Sequence, residues 1–125
     1  MQCNARVLPA GLHLLLVEDV PLIALDGERM LLALGAARVT WVRAADQALQ
    51  ALEAEDFDAA ILDLRLGEDT SVPLARRLGE LGIPYGFLTG YSGGDLPPEF
   101  QDRPIVTKPF TLHELSLLLR RLVGA

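Results

Sequence analysis

Five short apolar runs alternate with amphipathic stretches along this chain, and no other feature limits its fold as tightly. The runs are LHLLLV (12–17), RVTWV (38–42), DAAILDL (58–64), IPYGFLT (83–89) and PIVTK (104–108). The first and third are nearly continuous in apolar residues, as in strands covered on both faces; a sheet with one wet face would show strict alternation. The second is rich in β-branched residues, which suit an extended backbone. Strands separated by helices call for crossover connections, hence a parallel sheet with helices on both sides.

The intervening stretches read as helices. Ile23, Gly27, Met30, Leu31 and Leu34 share one face, with Pro21 tolerated in the first turn and Gly35 at the end. Ala45, Ala48, Leu49 and Leu52 form a second face, and Ser71-Val72-Pro73 opens a third helix running to about Leu81. In the last helix Thr111 and Glu114 make a capping-box pattern, and Leu112, Leu115, Leu119 and Leu122 repeat along one face. One stretch breaks the rhythm. Where a fourth helix is due, residues 90–103 carry Gly90, Gly93, Gly94, Pro97 and Pro98, so that helix is expected to be shortened or irregular. Residues 1–11 read as a leader, and 12–125 as a single domain without internal repeats.

With 125 residues, 50% of them hydrophobic, the chain has material for one core. Its formal net charge of -6 argues against nucleic-acid binding, which calls for a basic patch. The first apolar run ends at once in Glu18-Asp19. It is too short for a signal-peptide core of ~7–15 residues or a membrane span of ~20. The single Cys3 cannot form an internal disulfide, which suits a reducing compartment. A cytoplasmic protein without membrane attachment is expected.

In an open parallel sheet, ligands bind beyond the carboxyl ends of the strands. There the first strand delivers Glu18 and Asp19, the third Asp63, the fourth Thr89 and the fifth Lys108. Each has an ordinary reading alone: Glu18-Asp19 as a helix cap, Asp63 as a loop acid, Thr89 as a strand former, Lys108 as a solvated charge. Their conjunction is chemically specific. Three adjacent carboxylates repel unless a cation sits among them, and all-oxygen ligands favour a hard ion such as Mg²⁺. A carboxylate beside such an ion can attack phosphorus, while the metal and a lysine neutralise the charge on the phosphoryl oxygens. His13 reads as a tolerated or hydrogen-bonded residue at the core edge and His113 as solvated. Trp41, on the second strand, fits packing or an interface equally.

The acidic pair Glu18-Asp19, Asp63 in ILDLRL, Thr89 in FLTG, and Lys108-Pro109-Phe110 together resemble the receiver domain of two-component response regulators, over about residues 12 to 123. The resemblance implies a flavodoxin-like five-stranded parallel sheet of order 2-1-3-4-5, flanked by five helices. It implies that Asp63 accepts a phosphoryl group from a histidine kinase. It also implies that Glu18, Asp19, Asp63 and the backbone carbonyl of Arg65 bind Mg²⁺. Lys108 would contact the phosphoryl group, Thr89 would move towards it, and the Lys108–Pro109 bond would be cis. Arg65 and Tyr91 occupy positions that tune dephosphorylation in the family.

Three positions depart from the usual receiver. Ile105 stands where most carry an aromatic switch residue, Gly67 stands where a proline is usual, and the fourth-helix region reads GYSGGDLPPEFQDRP. Together they resemble the stand-alone receivers of alphaproteobacteria called the FAT GUY class, through Phe87-Leu88-Thr89-Gly90-Tyr91. In that reading Gly90 leaves space and backbone freedom beside the site. Tyr91 either moves in place of the missing aromatic or covers the sheet edge. No output domain is expected after the last helix. The protein would then be a phosphoacceptor signalling protein rather than an enzyme, acting with a histidine kinase and a phosphotransfer or stress-signalling protein, as a monomer or weak homodimer. The alternatives are docking independent of phosphorylation, or a small Mg²⁺-dependent phosphatase. The second is disfavoured because Arg65 stands where a general acid is needed.

Overall fold

A computed structural model of the chain describes residues 9–66, 69–90 and 97–124. The expectations placed on residues 1–8, on Gly67 and on Tyr91 therefore lie outside the described residues. Five strands form the central sheet: β1 His13–Val17, β2 Arg38–Val42, β3 Ala59–Asp63, β4 Tyr85–Thr89 and β5 Ile105–Thr107. Their spatial order is β2-β1-β3-β4-β5 and every pairing is parallel. This is the expected flavodoxin-like order. All residues of β3 and β4 are buried, which accounts for their uninterrupted apolar character.

Among the described residues four α-helices cover the sheet: α1 Pro21–Ala33, α2 Ala45–Ala54, α3 Val72–Leu81 and α4 Leu112–Val123. Alternate strand residues face opposite ways, so the sheet carries two cores. On one side Leu14, Leu16, Ile61 and Leu88 meet α1 and α4; on the other Leu15, Leu62 and Phe87 meet α2 and α3. Between β4 and β5 the helical structure among the described residues is a single 3₁₀ turn, Pro98–Phe100. Its Phe100 is buried and meets Phe87 and Tyr85 edge-on, with ring centroids 5.7 and 6.2 Å away. Pro97 and Pro98 open this turn, and the buried Phe100 anchors it to the core.

Two helix faces differ from the expected ones. In α1 the inward residues are Ala24, Gly27 and Leu31, continued by Leu34, whereas Ile23 and Met30 are only half-buried. A side chain on Gly27 would stand 3.3 Å from a Leu16 methyl, so the helix rests on its small residues and sits close to β1. In α4 the buried set is Leu115, Ser116, Leu118 and Leu119; Leu112 is exposed and Leu122 half-buried. The apolar stripe of α4 is wider than one face, and contact with the sheet selects which part goes in. Ser116 tolerates burial because its hydroxyl donates to the His113 carbonyl at 2.6 Å.

A two-stranded antiparallel pair, Arg65–Leu66 with Asp69–Thr70, follows β3. Two-residue strands carry no periodicity to read from sequence. Among the described residues, no helix is long and apolar enough to cross a membrane.

Candidate functional site

The carboxyl ends of β1, β3, β4 and β5 converge on one rim. Glu18 leaves β1 fully buried, Asp63 ends β3 almost fully buried, Thr89 ends β4 buried, and Lys108 follows β5 half-buried. Each is placed by the sheet itself. The Glu18 N–H donates to the Val42 carbonyl at 3.1 Å, continuing the β1–β2 ladder by one residue. The Lys108 N–H donates to the Thr89 carbonyl at 2.7 Å and continues β5 in the same way. The Leu64 N–H, just past Asp63, donates to the Leu88 carbonyl at 2.9 Å. The Lys108–Pro109 peptide bond is cis.

Lys108 lies between two acids. Its Nζ donates to Asp63 Oδ2 at 3.0 Å and to Glu18 Oε1 at 3.2 Å. The other Glu18 oxygen accepts the Val20 N–H at 3.1 Å, and Val20 is the N-cap of α1. Glu18 thus serves as a helix-start acceptor and as a rim acid together. Asp63 Oδ1 accepts the Arg65 N–H at 3.3 Å. Beyond it, Ser71 is buried and its N–H and hydroxyl donate to the Leu64 carbonyl at 3.1 and 3.4 Å. That pair ties the start of α3 to the residue that follows Asp63. Ser71 read in sequence only as a helix start, because nothing local marks a loop contact seven residues back.

Carboxylate oxygens of Glu18, Asp19 and Asp63 all lie within 4.8 Å of one another. Opposite ligands on Mg²⁺ stand about 4.2 Å apart, and the ion holds its waters tightly, so this all-oxygen, anionic set fits a cation that keeps part of its hydration. Burial pushes the Glu18 carboxyl up to about 7, reinforced by the Asp63 charge and opposed by the Val20 N–H and Lys108. Burial would lower Lys108, yet its hydrogen bond to Asp63 and the Asp63 and Glu18 charges together hold it above the ordinary lysine value. Lys108 therefore stands charged against two acids, and burial raises the Glu18 carboxyl well above the usual carboxylate range.

The remaining residues singled out by sequence fall around this rim. Gly90 is exposed, and a methyl there would meet no neighbour. Arg65 is exposed in the short antiparallel pair. Ile105 pairs with Phe87 and packs on the core face shared by α2 and α3. His13 lies at the opposite end of β1; its Nε2 is 2.7 Å from Thr40 Oγ1 and its Nδ1 2.9 Å from the Asp56 carbonyl. His113 is exposed. Trp41 has a contact that sequence did not disclose: its Nε1–H donates to the Glu18 carbonyl at 2.7 Å. Only the parallel register, which sets Trp41 beside Leu16, brings the indole there.

No family model and no curated protein sequence matches the chain. Solved structures do. SdrG from Sphingomonas melonis Fr1 is 36% identical over 93% of this chain and 99% of SdrG, with a TM-score of 0.77. The BeF3-activated conformation of SdrG is 38% identical over the same shares, with a TM-score of 0.80. The receiver domain of the sensor histidine kinase PA1611 from Pseudomonas aeruginosa PAO1 is 31% identical over 93% of this chain and 100% of that domain, with a TM-score of 0.78. That structure has a magnesium ion coordinated in its active-site cleft.

Proposed function

The chain belongs to the receiver-domain family of two-component response regulators, and on that premise we propose that it signals by accepting a phosphoryl group on Asp63. One observation carries the reading: a single lysine bridges the Asp63 and Glu18 carboxylates while Asp19 completes a cluster of three acids within 4.8 Å. The donor is a phosphohistidine of a histidine kinase. A carboxylate oxygen of Asp63 attacks phosphorus, the N–P bond breaks, and its electron pair returns to the histidine nitrogen, which takes up a proton. Lys108, already hydrogen-bonded to Asp63, stays beside the acyl phosphate and neutralises charge on the phosphoryl oxygens. Thr89, at the end of the neighbouring strand, offers a hydroxyl to the same group.

Glu18, Asp19, Asp63 and the Arg65 carbonyl would hold Mg²⁺, which when bound offsets the negative charge of the transferring phosphoryl group. The magnesium in the PA1611 receiver supports this assignment. Output then follows through phosphotransfer or docking to a phosphotransfer or stress-signalling protein. Incubation with acetyl phosphate and Mg²⁺ tests the reading directly. The wild-type chain is expected to form an acid-stable, base-labile phosphoprotein, and Asp63→Asn none. Labelling that survives in Asp63→Asn, or its failure in the wild type, would sink the assignment.

A further inference from the structure

We propose that Trp41 is a positioning residue for the acidic pair, holding the peptide that joins Glu18 to Asp19 in the orientation Mg²⁺ binding needs. The inference rests on the reading of this rim as a Mg²⁺ site. At Glu18 the chain leaves β1, and the residue is fully buried, so both its backbone groups need partners. Its N–H finds the Val42 carbonyl and its carbonyl finds the indole N–H of Trp41 at 2.7 Å, both from the edge strand β2. The Glu18 carbonyl and the Asp19 N–H belong to one planar peptide unit. Fixing the carbonyl therefore fixes the direction in which the chain runs on to Asp19.

That constraint matters because the two acids are held differently. Glu18 has Lys108 on one carboxylate oxygen and the Val20 N–H on the other. Among the described residues, no hydrogen bond or ion pair holds the half-buried Asp19 carboxylate. Its position depends on its backbone, and its backbone is tied to the indole. A side chain beyond the direct ligands that orients them in this way commonly sets metal affinity.

Calorimetric titration of the full chain with MgCl₂ tests the proposal. Trp41→Phe keeps an aromatic ring on the core and removes the N–H, and it is expected to bind Mg²⁺ roughly tenfold more weakly than wild type. Val39→Ala is the control, since Val39 is on the same strand and packs against the same core cluster. It should lower thermal stability while leaving Mg²⁺ affinity unchanged. Wild-type affinity in Trp41→Phe, or an equal loss in Val39→Ala, overturns the positioning role and leaves the site itself standing. A wild-type chain that binds no Mg²⁺ overturns both. Should Trp41→Phe not fold, the wild-type emission decides, because Trp41 is the single tryptophan. It is expected to change on Mg²⁺ addition and saturate at the calorimetric midpoint; emission indifferent to bound Mg²⁺ overturns the proposal.

Discussion

Lys108 keeps Glu18 and Asp63 together, at 3.2 and 3.0 Å, where two buried carboxylates alone would repel. One cation cannot fully satisfy two acids, and burial leaves Glu18 with a carboxyl raised to about 7. Mg²⁺ requires the ionised carboxylate, so the metal competes with that proton. Below about pH 7 the proton is held and must be displaced, whereas above it the carboxylate is already free. Mg²⁺ affinity is therefore expected to rise from about pH 6 to about pH 8, by up to about tenfold for each unit below the Glu18 value. Calorimetry at both pH values, in buffers of different ionisation enthalpy, would also count the proton released. An affinity flat across that range would remove Glu18 from the metal's ligands.

The elements reach the rim only because some of them pack unusually close. A side chain on Gly86, in the middle of β4, would fall 2.8 Å from a Leu118 methyl of α4 and 3.1 Å from the Pro104 carbonyl. The leucine can rotate away; the backbone carbonyl cannot. Gly86→Ala is expected to destabilise the fold by about 1–3 kcal/mol, the usual cost of overpacking, read as a lower midpoint in urea denaturation. Because Thr89 and Lys108 are reached through β4 and β5, the same substitution should disturb their amide signals before those of Asp19. A neutral outcome would show that α4 is free to shift outward. The 3₁₀ turn Pro98–Phe100 is held by a different device. Phe100 is buried against Phe87, and on the surface Arg76 of α3 donates to Glu99 at 2.6 Å. Irregular backbone is thus pinned by aromatic packing more than by helix formation.

At the scale of the molecule, one sheet with two cores brings residues 18, 63, 89 and 108 to a single rim, and a ligand at that rim stabilises the whole fold by mass action. Mg²⁺ at ~100 times its dissociation constant is expected to add about 2.7 kcal/mol, seen as a rise in Tm of roughly 10 °C that a chelator reverses. An unshifted melting curve would contradict metal binding to the native state. Much of this was legible in the chain itself. Apolar runs too continuous for a one-sided sheet, separated by helical periodicities, specify a covered parallel sheet, and the polar residue closing each run names the rim. The family resemblance supplied the strand order, which no local pattern encodes. Helix faces were legible only in part, because the apolar stripes of α1 and α4 are broader than the surface they cover. Small residues such as Gly27 and Gly86 decided the seating by allowing close approach. Which side chains stand at the strand ends follows from hydrophobic patterning along one dimension, and so was set by the chain alone. Tertiary structure alone decided that Lys108 bridges two acids 90 and 45 residues away, and that an edge-strand indole caps the Glu18 carbonyl. Such contacts depend on register between strands, and pairing in space leaves no local signature in the chain.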